Sequence, residues 1–155
     1  LLNQQKNIAL VSDSGTPLIS DPGYKLVRDL ISLSFEIVSI PGASAIISAL
    51  SVSGLPTDKF TFLGFLPKKS GQQDKILKEY GTTESTLIIY ESPYRVLKLI
   101  EQLKLSLGNR KICIVKDITK LHESLIYSQI DDILMNRSLI KEKGEYVILV
   151  AKKDF

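Results

Sequence analysis

The residues best suited to chemistry lie in one polar loop, VSDSGTPLISDPG, at positions 11–23 of the 155-residue sequence. The loop follows the apolar run NIALV at 7–11, and open α/β folds bind ligands where their parallel strands end. Gly15 and Gly23 would let the backbone approach a ligand closely, and two prolines would restrict its course. The same Ser and Asp side chains also suit an ordinary connection that caps a helix and satisfies turns. Spacing alone favours neither interpretation, and the phosphate-loop pattern GxxxxGK[ST] is absent.

The elements that must position this loop alternate between strand and helix. Apolar runs at 7–11 and 35–40 (FEIVSI) predict buried strands. Asp21 suits the N-cap and Pro22 the first turn of the helix between them. This alternation predicts parallel strands joined by right-handed crossovers, hence a sheet covered by helices. Further along are a helix over 44–53 that Gly54 closes and a third strand at 60–64.

The polar, basic segment FLPKKSGQQ predicts an interdomain linker near residues 65–72. It divides the chain into residues 1–66 and 67–155. The first part has only three predicted strands, fewer than a doubly wound domain of about 100 residues needs, so we expect the chain to begin partway into its first domain. Elements predicted for the second part are a helix ending near Gly81, strands at 86–91, 110–118, 123–130 and 145–150, and helices over 93–107 and near DDILM.

Composition leaves several function classes open. With 44% hydrophobic residues, 24% charged residues and a net charge of +3, the chain is globular, and an RNA partner is permitted without being required. Cys113 and His122 are each the single residue of their type, so an intrachain disulfide and a Cys/His zinc cluster are excluded. Cys113 is predicted in the core and His122 on the surface. No apolar run reaches the roughly 20 residues of a membrane helix, and we expect a cytoplasmic protein.

Six blocks of the sequence, in order, carry a family resemblance: SDSGTPLISDPG, PGASAIISALSVSGLP, FLGFLPKKSG, YESPYR, DITKLHES and KGEYVILV. Together they resemble the ribosomal RNA ribose methyltransferases of the tetrapyrrole methylase superfamily. The resemblance implies an α/β methylase of two domains, the first a parallel sheet with helices on both faces, incomplete here, and the second a smaller mixed-sheet unit. It also implies S-adenosyl-L-methionine as cofactor, without a metal, and the ribose 2′-hydroxyl of a cytidine in small-subunit (16S) ribosomal RNA as substrate. A homodimer is expected from the same resemblance.

The resemblance also assigns candidate site residues. Glu91 is the candidate to orient the hydroxyl nucleophile and Arg95 the candidate to hold a phosphate, although the two also suit a structural ion pair. Lysines that would face RNA are Lys68, Lys69, Lys116 and Lys120, although loop lysines are usually only solvated. The cofactor side comprises Ser12, Asp13, Ser14, Gly15, Thr16, Pro17, Leu18, Ile19, Pro41, Gly42, Ala43, Ser44, Gly64, Phe65, Leu66, Gly144, Glu145 and Tyr146.

Departures from the family pattern leave two alternatives open. Tyr94 stands where relatives commonly have His, Lys116 and Asp117 replace an Arg–Glu pair, and Gln73 and Asp74 replace basic residues. The family's opening Gly-Thr-Pro-Ile-Gly-Asn type motif is absent. The chain is therefore also compatible with a non-catalytic remnant or binding module. A methylase of the same fold that acts on a tetrapyrrole or another small molecule is the other alternative.

Overall fold

A computed structural model describes all 155 residues, and the chain packs as two compact units, Leu1–Ser44 and Ala45–Phe155. The predicted division into residues 1–66 and 67–155 stays a prediction, because compact packing units need not coincide with domains. No helix of the structure is both long enough and apolar enough to cross a bilayer.

The first unit contains helix α1 (Tyr24–Ser32) and a 3₁₀ turn at Leu2–Gln4, and it contains no strand. The strands predicted at 7–11 and 35–40 are therefore wrong for this structure. A segment becomes a strand only when a neighbour accepts and donates its backbone hydrogen bonds, and no neighbour does so here. The apolar side chains of these runs are exposed instead, with Val11 80% and Ile40 77% exposed.

Helix α1 starts later than its sequence predicts. Its N-cap is Gly23, with φ 128°, and the first helical hydrogen bond runs from the Val27 N–H to the Gly23 carbonyl at 3.1 Å. The predicted start at Asp21 and Pro22 is wrong because both residues lie in the turn that precedes the helix. No side chain caps this helix.

The second unit is built on one mixed sheet of five strands, in which the first, second, fifth, third and fourth strands of the chain lie side by side in that order. The first two strands are parallel and all other neighbours are antiparallel. The sheet and its helices confirm the expected mixed α/β unit, and the third predicted strand belongs to it. The strands are β1 (Phe60–Phe65), β2 (Thr86–Glu91), β3 (Lys111–Lys116), β4 (Ser124–Gln129) and β5 (Tyr146–Val150).

Helices cover both faces of this sheet. Side chains of the helices over 70–80, 96–107 and 130–135 pack on one face, and the helix over 45–52 packs on the other with Leu55. The central strand β5 is buried throughout, which explains its uninterrupted apolar run YVILV. The helices are α2 (Ala45–Val52), α3 (Ser70–Tyr80), α4 (Val96–Leu107) and α5 (Ile130–Met135), with 3₁₀ turns at Pro93–Arg95 and Arg137–Leu139.

The segment predicted as a linker lies partly within these elements. Phe65 ends β1, Leu66 is buried, and α3 begins at Ser70. The Gln73 side chain is buried and donates to the Pro67 carbonyl at 2.7 Å. Residues 66–69 connect β1 to α3, and residues 70–72 form the first turn of that helix, so the linker and the domain boundary stay predictions.

Cys113 confirms its predicted place in the core. It lies in β3, fully buried against α2 and its neighbouring strands. Burial raises the pKa of its thiol to about 11, because an apolar environment disfavours the thiolate. The residue therefore packs as a small apolar side chain.

Candidate functional site

Strand ends at one edge of the sheet bring distant motifs together. Register pairs Phe65 of β1 with Tyr90 of β2, Glu91 with Tyr146 of β5, and Tyr146 with Lys116 of β3. The ends of β1, β2 and β3 and the start of β5 therefore share an edge, which we call the carboxyl edge. Predicted site residues from four separate sequence blocks lie along it.

Glu91 and Arg95 form an ion pair at this edge. The Arg95 Nη2 lies 3.2 Å from the Glu91 Oε2, with the Glu91 side chain 1% exposed and that of Arg95 28% exposed. The other carboxylate oxygen accepts a hydrogen bond from the Ser92 N–H at 2.8 Å. The Oε2 atom is buried and accepts no hydrogen bond, which leaves it available to a donor if Arg95 moves.

Arg95 also fixes the segment that follows β1. Its Nη2 donates to the Leu66 carbonyl at 3.1 Å and approaches the Pro67 carbonyl at 3.4 Å. The guanidinium thereby joins the end of β2 to the end of β1, while about a quarter of the side chain stays exposed. All of these contacts, including the one with Glu91, are made by the single atom Nη2, so they do not use the two-armed geometry that distinguishes Arg from Lys.

The late motif, Gly144–Tyr146, is built around Asp117. The Asp117 carboxylate accepts from the Glu145 N–H at 2.9 Å and pairs with the Lys116 ammonium. The Asp117 N–H donates in return to the Glu145 carbonyl at 2.9 Å. A Cβ on Gly144 would lie 2.7 Å from the Asp117 Oδ2, and Gly144 has φ 104°, so only glycine fits this turn without strain.

At this motif the structure shows hydrogen bonds of Tyr146 and Asp117 that the sequence analysis did not predict. The Tyr146 hydroxyl is held internally, since it donates to the Lys141 carbonyl at 2.9 Å and accepts from the Lys141 N–H at 3.0 Å. Burial raises its pKa. In the sequence Asp117 stands out only as a departure from the family, although a short acceptor side chain beside a turn is a signal for such bonds. Asp117 and Thr119 both have positive φ, at 51° and 64°, which is uncommon for residues other than glycine.

Asp117 should make the stability of the chain depend on pH. The Lys116 ammonium and the Glu145 N–H lower the pKa of the Asp117 carboxyl below 3.8. A depressed folded-state pKa means that its contribution is present above 3.8 and is lost as pH falls through the lower folded value. We expect Asp117→Asn to lower the thermal midpoint of unfolding at neutral pH. The midpoint of this variant should also fall less steeply than that of the wild type as the pH is lowered, and circular dichroism measures both effects. Asp58→Asn, in an exposed loop without ion pairs, is the control; an equally steep fall of the midpoint in wild type and Asp117→Asn would refute the prediction.

The predicted RNA-facing lysines divide into two kinds. Lys116 pairs with Asp117, and Lys120 Nζ lies 2.8 Å from the Glu145 Oε2. Lys68 and Lys69 are exposed and form no ion pair. The last two therefore have charges available to an external anion, whereas the charge of Lys116 is already compensated.

In the first unit, the two predicted cofactor loops contact each other. The Thr16 hydroxyl donates to the Ala43 carbonyl at 2.8 Å, and the Ser12 hydroxyl donates to the Gly15 carbonyl at 3.0 Å. Leu18 has φ 73°, a strained value for a non-glycine residue, and such strain is concentrated at functional sites. Segments 12–19 and 41–44 are therefore joined as one surface of the first unit.

The sequence of the chain is similar to those of a known protein family. Residues 1–134 match the family Tetrapyrrole (Corrin/Porphyrin) Methylases. The chain is 43% identical over 144 residues to Ribosomal RNA small subunit methyltransferase I of Rickettsia prowazekii, covering 93% of this chain and 51% of that protein. It is 41% identical to the protein of that name in Escherichia coli O157:H7, covering 96% of this chain and 53% of that protein. The chain thus spans about half the length of these relatives.

Solved structures share the fold at low sequence identity. The methyltransferase CobJ superposes with a TM-score of 0.67 at 19% identity, covering 91% of this chain and 63% of that one. Uroporphyrin-III C-methyl transferase from Thermus thermophilus, complexed with S-adenyl homocysteine, gives a TM-score of 0.58 at 16% identity, with 87% and 62% covered. At these identities the likeness shows the fold alone.

Proposed function

Because the chain belongs to the tetrapyrrole (corrin/porphyrin) methylase family, we propose that it is part of an S-adenosyl-L-methionine-dependent methyltransferase that acts on small-subunit ribosomal RNA. The target is the ribose 2′-hydroxyl of a cytidine, and the enzyme works in the cytoplasm as a homodimer. The observation that carries the proposal is the convergence of Gly64–Leu66, Glu91, Arg95 and Gly144–Tyr146 at the carboxyl edge. Relatives at about 40% identity that bear the name of a ribosomal RNA methyltransferase support the choice of substrate.

The residues at this edge fit a ligand that carries hydroxyl or amino groups. The Glu91 Oε2 is a buried atom that accepts no hydrogen bond, although the Arg95 Nη2 pairs with it at 3.2 Å, and S-adenosylmethionine and a ribose both offer donors. When bound, the cofactor supplies an electrophilic methyl group on a sulfonium. The candidate cofactor residues of the edge are Gly64, Phe65, Leu66, Gly144, Glu145 and Tyr146, and those of the first unit are 12–19 and 41–44.

Two roles follow for the ion pair. The exposed part of the Arg95 guanidinium binds a phosphate of the RNA strand, since its fork matches two phosphate oxygens. Glu91 holds that guanidinium in place and, when Arg95 turns toward the phosphate, presents Oε2 to the hydroxyl nucleophile. Alignment of the hydroxyl with the methyl group accounts for most of the catalysis in this scheme.

Methyl transfer and cofactor binding test the proposal directly. Labelled S-adenosylmethionine is incubated with the protein and small ribosomal subunits, and digestion to nucleosides identifies the product as 2′-O-methylcytidine. Label that enters a corrin precursor and not the RNA would overturn the substrate. A protein that takes up no cofactor in calorimetry and transfers no label would instead be a binding module.

The free lysines provide a second test of the RNA partner. We expect the double substitution Lys68→Ala, Lys69→Ala to weaken binding of a single-stranded RNA uniformly across sequences. The slope of log affinity against log salt should become shallower by about 0.7 for each phosphate that the protein no longer neutralises. Lys152→Ala is the matched control, because Lys152 follows β5 at the opposite edge and pairs with Glu84 at 3.0 Å. An unchanged salt slope in the double variant would remove both lysines from the RNA surface.

A further inference from the structure

Three aromatic rings lie together on the α2 face of the sheet at its carboxyl edge. The Phe62 and Tyr90 ring centroids are 4.8 Å apart and those of Phe65 and Tyr90 are 5.6 Å apart, both edge to face. We propose that this group, the aromatic platform, stacks one unpaired base of an RNA strand on the Phe65 ring. The inference rests on the proposed function, but it assigns the Phe65 ring to the RNA substrate instead of to the cofactor.

A β-bulge creates the platform. Phe62 pairs with Ile88, but Gly64 pairs with Ile89 and Phe65 with Tyr90, so one extra residue sits between the first two pairs. Strict alternation would place Phe65 on the face opposite Phe62. Gly64 lies at the bulge and has the positive φ of 64°. The bulge turns Phe65 onto the face that already carries Phe62 and Tyr90.

The platform packs against the buried cluster through Phe62 and Tyr90, whereas its Phe65 ring is exposed. Tyr90 is half-buried and packs against the buried cluster that includes Ile46 of α2. Phe62 packs against the buried cluster on the same face. Phe65 is 57% exposed. A ring already packed against the Tyr90 ring loses less rotational freedom when it binds a flat partner, which favours stacking.

Charge beside the platform indicates which flat partner it takes. Lys68 and Lys69 follow Phe65 after only Leu66 and Pro67, and both are exposed without ion pairs. An exposed ring beside free cations is the arrangement by which proteins grip single-stranded nucleic acid, the ring taking the base and the cations taking the backbone. A double helix hides its base faces, so the partner is an unpaired nucleotide.

Single-residue substitutions test the stacking. The chain contains no tryptophan, so Phe65→Trp introduces a single indole whose fluorescence reports contact with a base. We expect that fluorescence to be quenched by a single-stranded oligoribonucleotide and to be unaffected by the same strand carrying abasic sites. Phe65→Leu keeps an apolar side chain without a ring, and we expect it to weaken binding of the intact strand about 5- to 100-fold.

Phe60→Leu is the matched control. Phe60 belongs to the same strand and is 42% exposed, but it lies at the opposite end of β1, so its loss should change RNA affinity less than about twofold. Thermal unfolding of each variant verifies that it is folded.

Cofactor binding separates this inference from the proposed function. Calorimetry with S-adenosylhomocysteine is run on wild type and Phe65→Leu. A loss of cofactor affinity with RNA affinity retained would assign the ring to the adenine of the cofactor and overturn the platform. Equal weakening by Phe60→Leu, or no RNA binding by the wild-type chain, would also overturn it. RNA binding that depends on Phe65, without methyl transfer, would keep the platform and overturn only the activity.

Discussion

Replacement of Glu91 by glutamine should reduce methyl transfer to small-subunit RNA about 100-fold. Glutamine keeps the shape of the side chain but removes the charge that holds Arg95 at 3.2 Å. The guanidinium then loses its counter-ion beside the Leu66 and Pro67 carbonyls. Initial rates with labelled cofactor measure the effect.

The same substitution should lower the free energy of unfolding by about 1–3 kcal/mol, less than the loss for a fully buried pair because Arg95 is partly exposed. Urea unfolding measures this change. Glu101→Gln breaks the exposed pair with Arg137, at 2.8 Å, and should cost less than about 1 kcal/mol. Transfer rates within twofold of wild type in Glu91→Gln would remove Glu91 from the mechanism.

A double-mutant cycle distinguishes the two roles of Glu91. If Glu91 acts by holding Arg95, then Glu91→Gln combined with Arg95→Met, which removes the charge, should be no slower than Arg95→Met alone. If the rate reductions of the two single variants multiply in the double variant, Glu91 contacts the hydroxyl independently of Arg95. Both outcomes are read from the same transfer rates.

Replacement of Gly144 by alanine should have the second large effect, a loss of about 2–4 kcal/mol of stability. The φ of 104° is strained for any side chain, and the new Cβ would lie 2.7 Å from both the Asp117 Oδ2 and the Lys116 Cε. Displacement of Asp117 would break its bond to the Glu145 N–H. We therefore expect cofactor affinity to fall about tenfold or more in calorimetry.

Gly54→Ala is the control for backbone strain alone. Gly54 also has positive φ, at 66°, but a Cβ there would meet no atom within 4 Å. Its substitution should cost about 1 kcal/mol and leave cofactor affinity unchanged. If the two alanine variants were equally stable, the close contact with Asp117 would not be the reason for glycine at 144.

Local pattern was sufficient for most elements of the second unit. The run TLIIYE at 86–91 and the run before Ala151 became β2 and β5, because long apolar runs between turn signals have few alternatives to a buried strand. The same reasoning failed at 7–11 and 35–40, where apolar character was present and no pairing neighbour was. The apolar pattern of a segment indicates that its side chains favour burial. Whether the segment forms a strand depends also on a neighbouring strand with which its backbone can form hydrogen bonds.

Gly81 shows how a correct prediction can have a different physical cause. The sequence predicts that a helix ends there, and α3 ends at Tyr80. Gly81 has φ −67°, an ordinary helical value, so a left-handed cap does not require glycine. A Cβ at Gly81 would lie 2.2 Å from the Leu107 Cδ2 and 2.5 Å from the Leu77 carbonyl oxygen. The glycine is therefore required by the close approach of the Leu77 carbonyl in the last turn of α3, together with that of the Leu107 side chain of α4.

The loop VSDSGTPLISDPG and the later motifs identified the family and the candidate residues from sequence alone, since their types and order depend on no coordinates. Only the tertiary structure decided which of them share the carboxyl edge, that Asp117 holds the Gly144 turn, and that Lys68 and Lys69 are the uncompensated lysines. It also decided that Phe65 shares a face with Phe62 and Tyr90. Each of these depends on strand register, a bulge or a long-range ion pair, which arise from contacts between residues far apart in the chain.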